Sequence, residues 1–267
     1  MNKKKVAVIG YGALGRILVD GIREKLDGSC QLTGVLVRHV EQSGKANGDL
    51  HFYTDIDKLL EEKPDYVVEI ASKEAVAEYG CKVLESGAGL IITSVGALAA
   101  DEQYEKLSET AARCGSKVYV TSGAIGGFDV MQTISMMGNA KASIQNCKAP
   151  VSLNGAPYLK GRLLSDTDVE LVFHGTAREA IEGFPNNVNV AVASAVASVG
   201  VDAMDVIIES RPGLRDNVHR VQVENDSVKA TIEISSRPDR NNPKSSVMTA
   251  WSVVALLQNL LSPIQLF

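Results

Sequence analysis

Several broad classes of protein are excluded by what this 267-residue sequence lacks. No apolar run reaches the length of a bilayer, since even Val188–Ile208 is interrupted by one asparagine and two aspartates. The 27 basic residues are outnumbered by 32 acidic ones and form no patch, which argues against a nucleic-acid partner. The apolar run that follows the first lysines breaks at Gly10, so we expect no secretory signal.

Cysteine and histidine are scarce, and neither is arranged as a site. The cysteines form no C-x-x-C pair and are too few for a disulfide framework, which favours reduced thiols and a cytoplasmic protein. The histidines lack the spacing of metal ligands, so we expect no metal. The residues concerned are Cys30, Cys81, Cys114 and Cys147, and His39, His51, His174 and His219.

The most informative feature that is present is the glycine-rich turn Gly10-Tyr11-Gly12-Ala13-Leu14-Gly15. It follows an apolar run and opens into an apolar stripe of helical period, which predicts a strand, a turn and a helix. In that geometry a dinucleotide pyrophosphate lies on backbone N–H groups at the positive end of a helix dipole. Gly10 would allow the tight turn, Gly12 the approach of the phosphates and Gly15 close helix packing. The alternative is a glycine turn in a βαβ unit that binds no phosphate.

The first half of the chain alternates strand and helix patterns. Near-continuous Val and Ile runs between amphipathic segments indicate a parallel sheet covered on both faces, as in a Rossmann dinucleotide-binding domain. The predicted elements are strands Lys5–Ile9, Gln31–Val37, Asp65–Ala71, Gly89–Val95 and Lys117–Thr121, helices Ala13–Lys25, Lys73–Ser86 and Asp101–Arg113, and a short unit at Ile56–Glu62. Ligands gather at the carboxyl ends of such strands, where the candidate cofactor-binding residues are Gly10 to Gly15, Arg38, His39, Ala71 and Ser94.

The second half predicts a smaller α+β domain with a mixed or antiparallel sheet. Its predicted strands are Ala142–Lys148, Val169–Phe173, Asp205–Glu209, Val218–Val223 and Val228–Ser235, and its helices are Thr176–Glu182 and residues 186–199. The apolar helix predicted at Ser245–Leu261 has no sheet of its own, so we expect it to return onto the first domain. The predicted domains are residues 1–122 plus 245–267 for dinucleotide binding, and 123–244 for substrate binding and dimerisation.

The tip of the second predicted strand bears on the choice of cofactor. An NAD-selective site usually has an acidic residue there, whereas this chain has Arg38 and His39. A guanidinium binds phosphate bidentately, so Arg38, with His39, is suited to a 2′-phosphate, and NADP is favoured over strict NAD. The alternative is that Arg38 stacks on the adenine and that both dinucleotides are accepted.

Two polar helix starts in the second half are candidate binding segments. Asn189 is predicted three residues inside a helix that begins near Asn186, where another asparagine caps the helix. We therefore expect the Asn189 carboxamide to bond a group across a cleft, and a carboxamide suits the nicotinamide amide. The start of the last helix is suited to a carboxylate, and its candidate residues are Lys244, Ser245 and Ser246.

His219 is the candidate for proton transfer. It alternates with Val221 and Val223 along a predicted strand, so its side chain points inward with theirs. Inward histidines are often core residues with one satisfied hydrogen bond, and that interpretation stays open. At the edge of a cofactor cleft, the same ring would exchange a proton near neutral pH.

Eight segments along nearly the whole chain, in order, match one known family. They are 10–15, Val68-Glu69-Ile70-Ala71, Ser94–Leu98, Ser122–Gly127, Gly175–Ala180, Phe184–Val190, Asn217-Val218-His219 and Asn242–Ser246. The sequence thus resembles the L-aspartate dehydrogenases. By that resemblance His219 would be the active-site residue, and Ala124 and Asn189 would contact the nicotinamide cofactor. The family also implies a Rossmann domain completed by the C-terminal helix, a homodimer and a role in NAD biosynthesis.

Two segments depart from the family pattern. Ser72-Lys73 stands where many members carry Gly-His, and Asn146–Pro150 stands where they carry Gly-Arg-Lys-Pro. If that second segment holds the substrate carboxylates, Lys148 keeps part of its role. The alternative for Lys148 and Lys244 is a solvated surface charge.

The predicted reaction is reversible, NAD(P)-dependent oxidative deamination of L-aspartate to iminosuccinate, which water converts to oxaloacetate and ammonia. Neutral His219 would take the proton, and Lys148, Lys244, Ser245 and Ser246 would hold the dicarboxylate. One alternative is a related imine or oxo-acid reductase, such as a dihydrodipicolinate reductase-like enzyme, although the basic pair and His-His segment of that enzyme are missing. The other is a dinucleotide-sensing protein without catalysis.

Overall fold

The computed structural model describes residues 3–39, 50–185, 187–237 and 246–266, and the chain divides into two compact units. The first unit comprises Met1–Ala97, Asp101–Thr121 and Thr249–Phe267. The second comprises Leu98–Ala100 and Ser122–Met248. No helix in the described ranges is both long enough and apolar enough to cross a membrane.

The first unit is built on a fully parallel six-stranded sheet with the strand order β3-β2-β1-β4-β5-β6. Its strands are β1 (Lys4–Ile9), β2 (Cys30–Leu36), β3 (Phe52–Tyr53), β4 (Tyr66–Glu69), β5 (Gly89–Ile92) and β6 (Val118–Val120). Its helices are α1 (Ala13–Leu26), α2 (Ile56–Glu61), α3 (Lys73–Glu85), α4 (Asp101–Cys114) and α9 (Met248–Leu261). This arrangement confirms the predicted Rossmann-like sheet.

The C-terminal helix returns to the first unit, as the sequence predicts. The apolar face of α9 lies in one buried cluster with β1 and α1, and Val254 approaches Gly21 so closely that a Cβ there would lie 3.0 Å from it. The helix is described from Met248 onward, and its predicted start at Ser245 lies outside the described residues. Burial of this face explains why a helix with no sheet of its own is so apolar.

The second unit is built on a mixed five-stranded sheet with the strand order β11-β10-β7-β9-β8. The strands are β7 (Lys141–Lys148), β8 (Glu170–Thr176), β9 (Asp205–Ser210), β10 (Asn217–Glu224) and β11 (Lys229–Ser236). The helices are α5 (Phe128–Met136), α6 (Pro150–Leu153), α7 (Ala177–Gly183) and α8 (Asn189–Val196). Only the β7–β9 pair is parallel, and this confirms the predicted α+β class.

Helix α5 was not predicted, and α8 was predicted with the wrong start. The residue before α5 is Gly127, whose φ of +73° no sequence pattern announces, and only Met131 and Ile134 of the helix are buried. Helix α8 begins at Asn189 and is preceded by Val188, which makes no side-chain capping bond. The N-cap position is therefore not an asparagine, and Asn189 is the first residue of the helix and not an interior one.

Candidate functional site

The glycine turn of the first unit has the geometry of a ligand cradle. Gly10 adopts a φ of +105°, and a Cβ on it would lie 2.8 Å from that of Ala71. A Cβ on Gly15 would collide with the carbonyl oxygen of Gly10, so the helix can pack this closely only with glycine there. Gly12 differs, because no atom lies within 4 Å of the position its Cβ would occupy. The backbone is therefore open at Gly12, at the N-terminus of α1.

This cradle fits the pyrophosphate of a dinucleotide. Gly12 is the residue before α1 and supplies no side-chain cap, so no N-cap side chain competes with a ligand for the first N–H groups of the helix. The ring of Tyr11 packs edge-on against Phe52 at 5.1 Å between centroids, and the Arg16 guanidinium lies 4.8 Å from the Tyr11 centroid. The phenol of Tyr11 is therefore a packing group, and its backbone is the part left for a ligand. The other two residues of the turn, Ala13 and Leu14, are half-buried at the start of α1.

Arg38 and His39 follow β2 directly, and both are exposed. Burial raises the pKa of the Tyr79 phenol, and the charge of Arg38 opposes that rise. Because Tyr79 belongs to α3, the Arg38 guanidinium lies on the α3 side of the strand end. Neither side chain forms an ion pair with any residue that the structure describes. Both remain available to a ligand at this edge of the sheet.

Glu69 supports the candidate cofactor site, and the sequence reasoning did not identify this role. Its side chain is completely buried at the end of β4 and accepts four hydrogen bonds. Oε1 accepts from the N–H groups of Ala71 and Ser72, at 2.7 and 2.8 Å, and from the Ser94 hydroxyl at 2.9 Å. Oε2 accepts from the Ser94 N–H at 3.1 Å. One carboxylate thus holds together the two loops that carry the predicted cofactor residues Ala71 and Ser94.

The electrostatics of Glu69 follow from this environment. Burial raises the pKa of its carboxyl group, and the hydrogen bonds from Ala71, Ser94 and Ser72 oppose that rise. The signal that could have found it is a single glutamate closing the apolar run Val67-Val68, since an acidic residue at a buried strand end needs donors around it.

His219 occupies a central position in the second unit, on β10. It is only 2% exposed and shares its face with buried Val221 and Val223, which confirms the predicted inward orientation. Its Nδ1 lies 2.6 Å from Oδ1 of Asn146, the residue directly opposite on β7. Because a carboxamide oxygen can only accept, Nδ1 donates its proton to Asn146. The neutral ring therefore carries a lone pair on Nε2, which has no hydrogen-bond partner in the described structure.

Around His219 lies a polar cluster, which we define as Asn146, Lys148, Ser210, Asn217 and His219. All five residues are buried, and strand alternation together with the strand registers puts them on one face of the sheet. Within the cluster Asn146 Nδ2 and Ser210 Oγ are buried without a hydrogen-bond partner. The Lys148 ammonium likewise forms no ion pair or hydrogen bond with any residue that the structure describes. Buried donors without partners are rare in folded proteins, so the cluster is a candidate ligand site.

Charge in the polar cluster is asymmetric. Burial, followed by the neighbouring charge of Lys148, lowers the pKa of His219 to about 3. Burial alone lowers the pKa of Lys148 to about 8. The two are consistent, since His219 is already neutral when Lys148 titrates and does not repel its charge. Near pH 7 the cluster therefore presents a neutral base beside a buried ammonium, which suits a substrate that has a proton to lose and a carboxylate to bind.

Of the other predicted site residues in the second unit, some are described by the structure and some are not. Ala124 is buried in a turn in which the Ile125 N–H donates to the Ser122 oxygen at 3.1 Å, and its predicted contact with a cofactor stays a prediction. Ser246 is buried, and its hydroxyl accepts from the Met248 N–H at 3.2 Å, so it makes a local turn. The predicted substrate residues Lys244 and Ser245 lie outside the described residues.

The family-like segment 175–180 has a structural explanation. Thr176 and Glu179 form a reciprocal capping box at the start of α7. Arg178 forms a two-pronged ion pair with Asp202, with N–O distances of 2.5 and 2.7 Å. This segment therefore stabilises the second unit, and none of its contacts requires a ligand.

Two family models match the chain. The model described as "Aspartate dehydrogenase, C-terminal" covers residues 129–260, and "Homoserine dehydrogenase, NAD binding domain" covers residues 10–121. The L-aspartate dehydrogenase of Acinetobacter baumannii is 32% identical over 268 residues, which are 98% of this chain and all of the relative. That of Methanosarcina barkeri is 34% identical over 214 residues, 79% of each chain.

Solved structures show the same similarity. The crystal structure of aspartate dehydrogenase from Thermotoga maritima aligns over the full length of both chains with a TM-score of 0.79 and 26% identity. A dihydrodipicolinate reductase from Paenisporosarcina aligns with a TM-score of 0.60 and 14% identity, over 97% of this chain and 95% of its own. The second likeness concerns the fold alone.

Proposed function

The chain belongs to the L-aspartate dehydrogenase family, and from that premise we propose that it catalyses the NAD(P)-dependent, reversible oxidative deamination of L-aspartate. The products are iminosuccinate and, after hydrolysis, oxaloacetate and ammonia. The observation that carries the proposal is the neutral His219 ring, whose Nε2 has no partner in the described structure, in one buried cluster with the Lys148 ammonium.

His219 is the proposed catalytic base. With Nδ1 donating to Asn146, Nε2 can accept a proton from the substrate amine or from the water that attacks the imine. The low pKa of about 3 keeps the ring neutral throughout the neutral pH range, so nearly every enzyme molecule has an unprotonated His219. A positioned base contributes roughly 10²–10⁴-fold to a rate when its pKa lies near the working pH. A substrate carboxylate on Lys148 would offset the like charge that helps to lower the pKa of the ring, and so would make His219 a stronger base.

Lys148 is the proposed anchor for a substrate carboxylate. Lys148 is buried, and its ammonium lacks an anionic partner in the described structure, so a bound carboxylate would supply the missing charge. The family departure at 146–150 leaves this lysine as the remaining cation of that segment. Lys244, Ser245 and Ser246 stay candidates for the second carboxylate.

The dinucleotide would be held by the backbone of Gly10, Gly12 and Gly15 and by the two loops that Glu69 joins. Ala124 and Asn189 are proposed to contact its nicotinamide. When bound, that ring accepts a hydride from the substrate Cα. Arg38 and His39, which are exposed and follow β2 where an NAD-selective site usually has an acidic residue, favour NADP, with NAD also accepted.

One assay separates the candidate functions. Purified protein is mixed with oxaloacetate, ammonium and either NADPH or NADH, and the loss of reduced-nicotinamide absorbance is followed. We expect consumption that requires ammonium and is faster with NADPH. Consumption without ammonium would indicate an oxo-acid reductase, and dinucleotide binding without turnover would indicate a sensor; either result contradicts the proposal.

Two further expectations stay proposals. We propose a homodimer, which the family resemblance implies and which light scattering on the purified protein tests directly. We also propose a cytoplasmic location, which the free thiols of all four cysteines support.

A further inference from the structure

Asn146 makes an unusual contact for a residue at the centre of a sheet. It is completely buried on β7, the middle strand of the sheet, and its carboxamide oxygen lies 2.6 Å from Nδ1 of His219. The two residues form a direct cross-strand pair, so the backbone itself aligns them. A hydrogen bond between two buried side chains, set by strand register, defines the orientation of the ring.

We infer that Asn146 is a positioning residue that holds His219 in the Nδ1–H tautomer and so keeps the lone pair of Nε2 available for the reacting proton. The inference rests on the proposed catalytic role of His219 and extends it to a second side chain. Without an acceptor at Nδ1, a neutral imidazole is free to carry its proton on Nε2, where it could no longer act as a base.

The contact is poorly explained as a stabilising one. The other end of the same carboxamide, Nδ2, is buried with no hydrogen-bond partner in the described residues, and such a group costs free energy. An apolar pair at these two positions would continue the rows formed by Ile144 and Val221 without that cost. Asn146 Oδ1 gives the His219 ring a hydrogen-bond acceptor, whereas Asn146 Nδ2 has no acceptor of its own in the described residues. This arrangement indicates a role in the reaction.

The amide is also the right chemical group for this task. A carboxylate at position 146 would accept the same Nδ1–H but would attract a proton onto the ring and neutralise the nearby Lys148 ammonium. Lys148 is the charged group that acts on the ring, and the residue opposite His219 on β11 is uncharged Ile234. A neutral acceptor therefore fixes the tautomer and leaves both the base and the cation intact.

The tautomer can be measured without turnover. The protein has four histidines, so nitrogen-15 labelling of histidine gives a simple two-bond correlation spectrum, and the His219→Gln spectrum assigns the ring. We expect Nδ1–H for His219 in the wild type and in Asn146→Asp, and a shift toward Nε2–H in Asn146→Ala. Asn217→Ala removes another buried carboxamide from the same face and should leave the tautomer unchanged. An unchanged tautomer in Asn146→Ala overturns the inference.

Kinetics give a second, independent readout. Asn146→Ala should lower kcat about 10²-fold, at the lower end of the contribution of a positioned base, with the KM of the dinucleotide unchanged. Asn146→Asp should keep kcat at high pH and lose activity as the pH falls, because its charge raises the pKa of the ring. A uniform loss at every pH in Asn146→Asp would mark a merely structural residue and overturn the inference.

Failure of the inference is distinguishable from failure of the proposed function. If His219→Ala turns over normally, the catalytic assignment itself falls. If His219→Ala is inactive while the Asn146 variants keep both the tautomer and kcat, the base stands and the positioning role alone is wrong. Thermal unfolding of each variant shows that the comparison is made between folded proteins.

Discussion

Each unit of this protein buries a set of polar side chains, and the two sets differ in whether they are satisfied. In the first unit both oxygens of Glu69 accept hydrogen bonds, four in total, from two loops. In the second, Asn146 Nδ2 and Ser210 Oγ are buried without partners, and Lys148 finds no anion in the described structure. Burial is nearly complete in both places, so exposure does not distinguish them.

The difference separates a framework from a binding site. A buried group with all its hydrogen bonds made is a finished piece of structure, and Glu69 keeps the loops at the ends of β4 and β5 in place. A buried group that lacks a partner is destabilising until something supplies one. The unsatisfied set therefore agrees with the proposed substrate site, and the satisfied set supports the loops that carry the predicted cofactor residues.

The largest expected effect comes from removing the base of the unsatisfied set. His219→Ala should lower kcat by roughly 10²–10⁴-fold, because Nε2 no longer accepts the proton. The affinity for the dinucleotide, measured by protein fluorescence titration, should be unchanged. His174→Ala is the control, since that ring is exposed and pairs with Asp205 at 2.8 Å. Normal turnover in His219→Ala would contradict the claim that the unsatisfied set takes part in the reaction.

Removing the cation should act on substrate binding. Lys148→Met keeps the length of the side chain and should raise the KM of aspartate roughly 10- to 100-fold, because a charged hydrogen bond to the carboxylate is lost. Succinate, which has no amine to titrate, should inhibit the wild type less well above pH 8, by about tenfold per pH unit, as the ammonium with a pKa of about 8 loses its proton. Lys141→Met changes an exposed lysine of the same strand and should alter neither quantity.

The satisfied set should respond in the opposite way. Glu69→Gln turns an NH2 group toward N–H donors, which should lower the free energy of unfolding by about 1–3 kcal/mol and weaken dinucleotide binding about tenfold. At saturating dinucleotide kcat should stay near the wild-type value. Glu85→Gln, in an exposed ion pair with Arg113, is the matched control and should change little. A catalytic defect in Glu69→Gln without loss of stability would contradict its role as support.

The pH dependence of stability sharpens the same comparison. Lys148 has its pKa lowered from 10.5 to about 8 by folding, so between those values the unfolded chain binds more protons than the folded one. The lysine therefore costs stability below pH 8, and the free energy of unfolding should rise by about 3 kcal/mol between pH 8 and pH 10.5. In Lys148→Met this rise should be absent in denaturant titrations, and a parallel rise in both proteins would show that another group is responsible.

The smallest effect is expected for Arg38, which is exposed and belongs to neither of the two buried sets. Arg38→Asp should raise the KM of NADPH far more than that of NADH, because only NADPH has a 2′-phosphate for the guanidinium. Exposure limits the gain from this contact, so the change should be modest in absolute terms. Equal changes for both dinucleotides would mean that Arg38 does not read the phosphate.

Prediction from sequence succeeded where a local pattern carries the information. Continuous apolar runs separated by helical stripes were enough for the parallel sheet, and alternation with Val221 and Val223 was enough to turn His219 inward. It failed for Asn189, because a run of asparagines looks like a helix cap, whereas the helix begins at Asn189 after uncapped Val188. Asn187, which looked like part of the cap, donates to the Ser152 oxygen at 2.8 Å.

The order of strands along the chain and the alternation of side chains within them were set by the sequence itself, because both follow from the spacing of apolar residues. Which polar side chains meet was decided by the tertiary structure, since Asn146 and His219 are 73 positions apart and only sheet register places them 2.6 Å from each other. The same holds for Glu69, which ends β4, and Ser94, which follows the neighbouring parallel strand β5. Burial then determines their chemistry, because the loss of water leaves each group dependent on the partners that the fold provides.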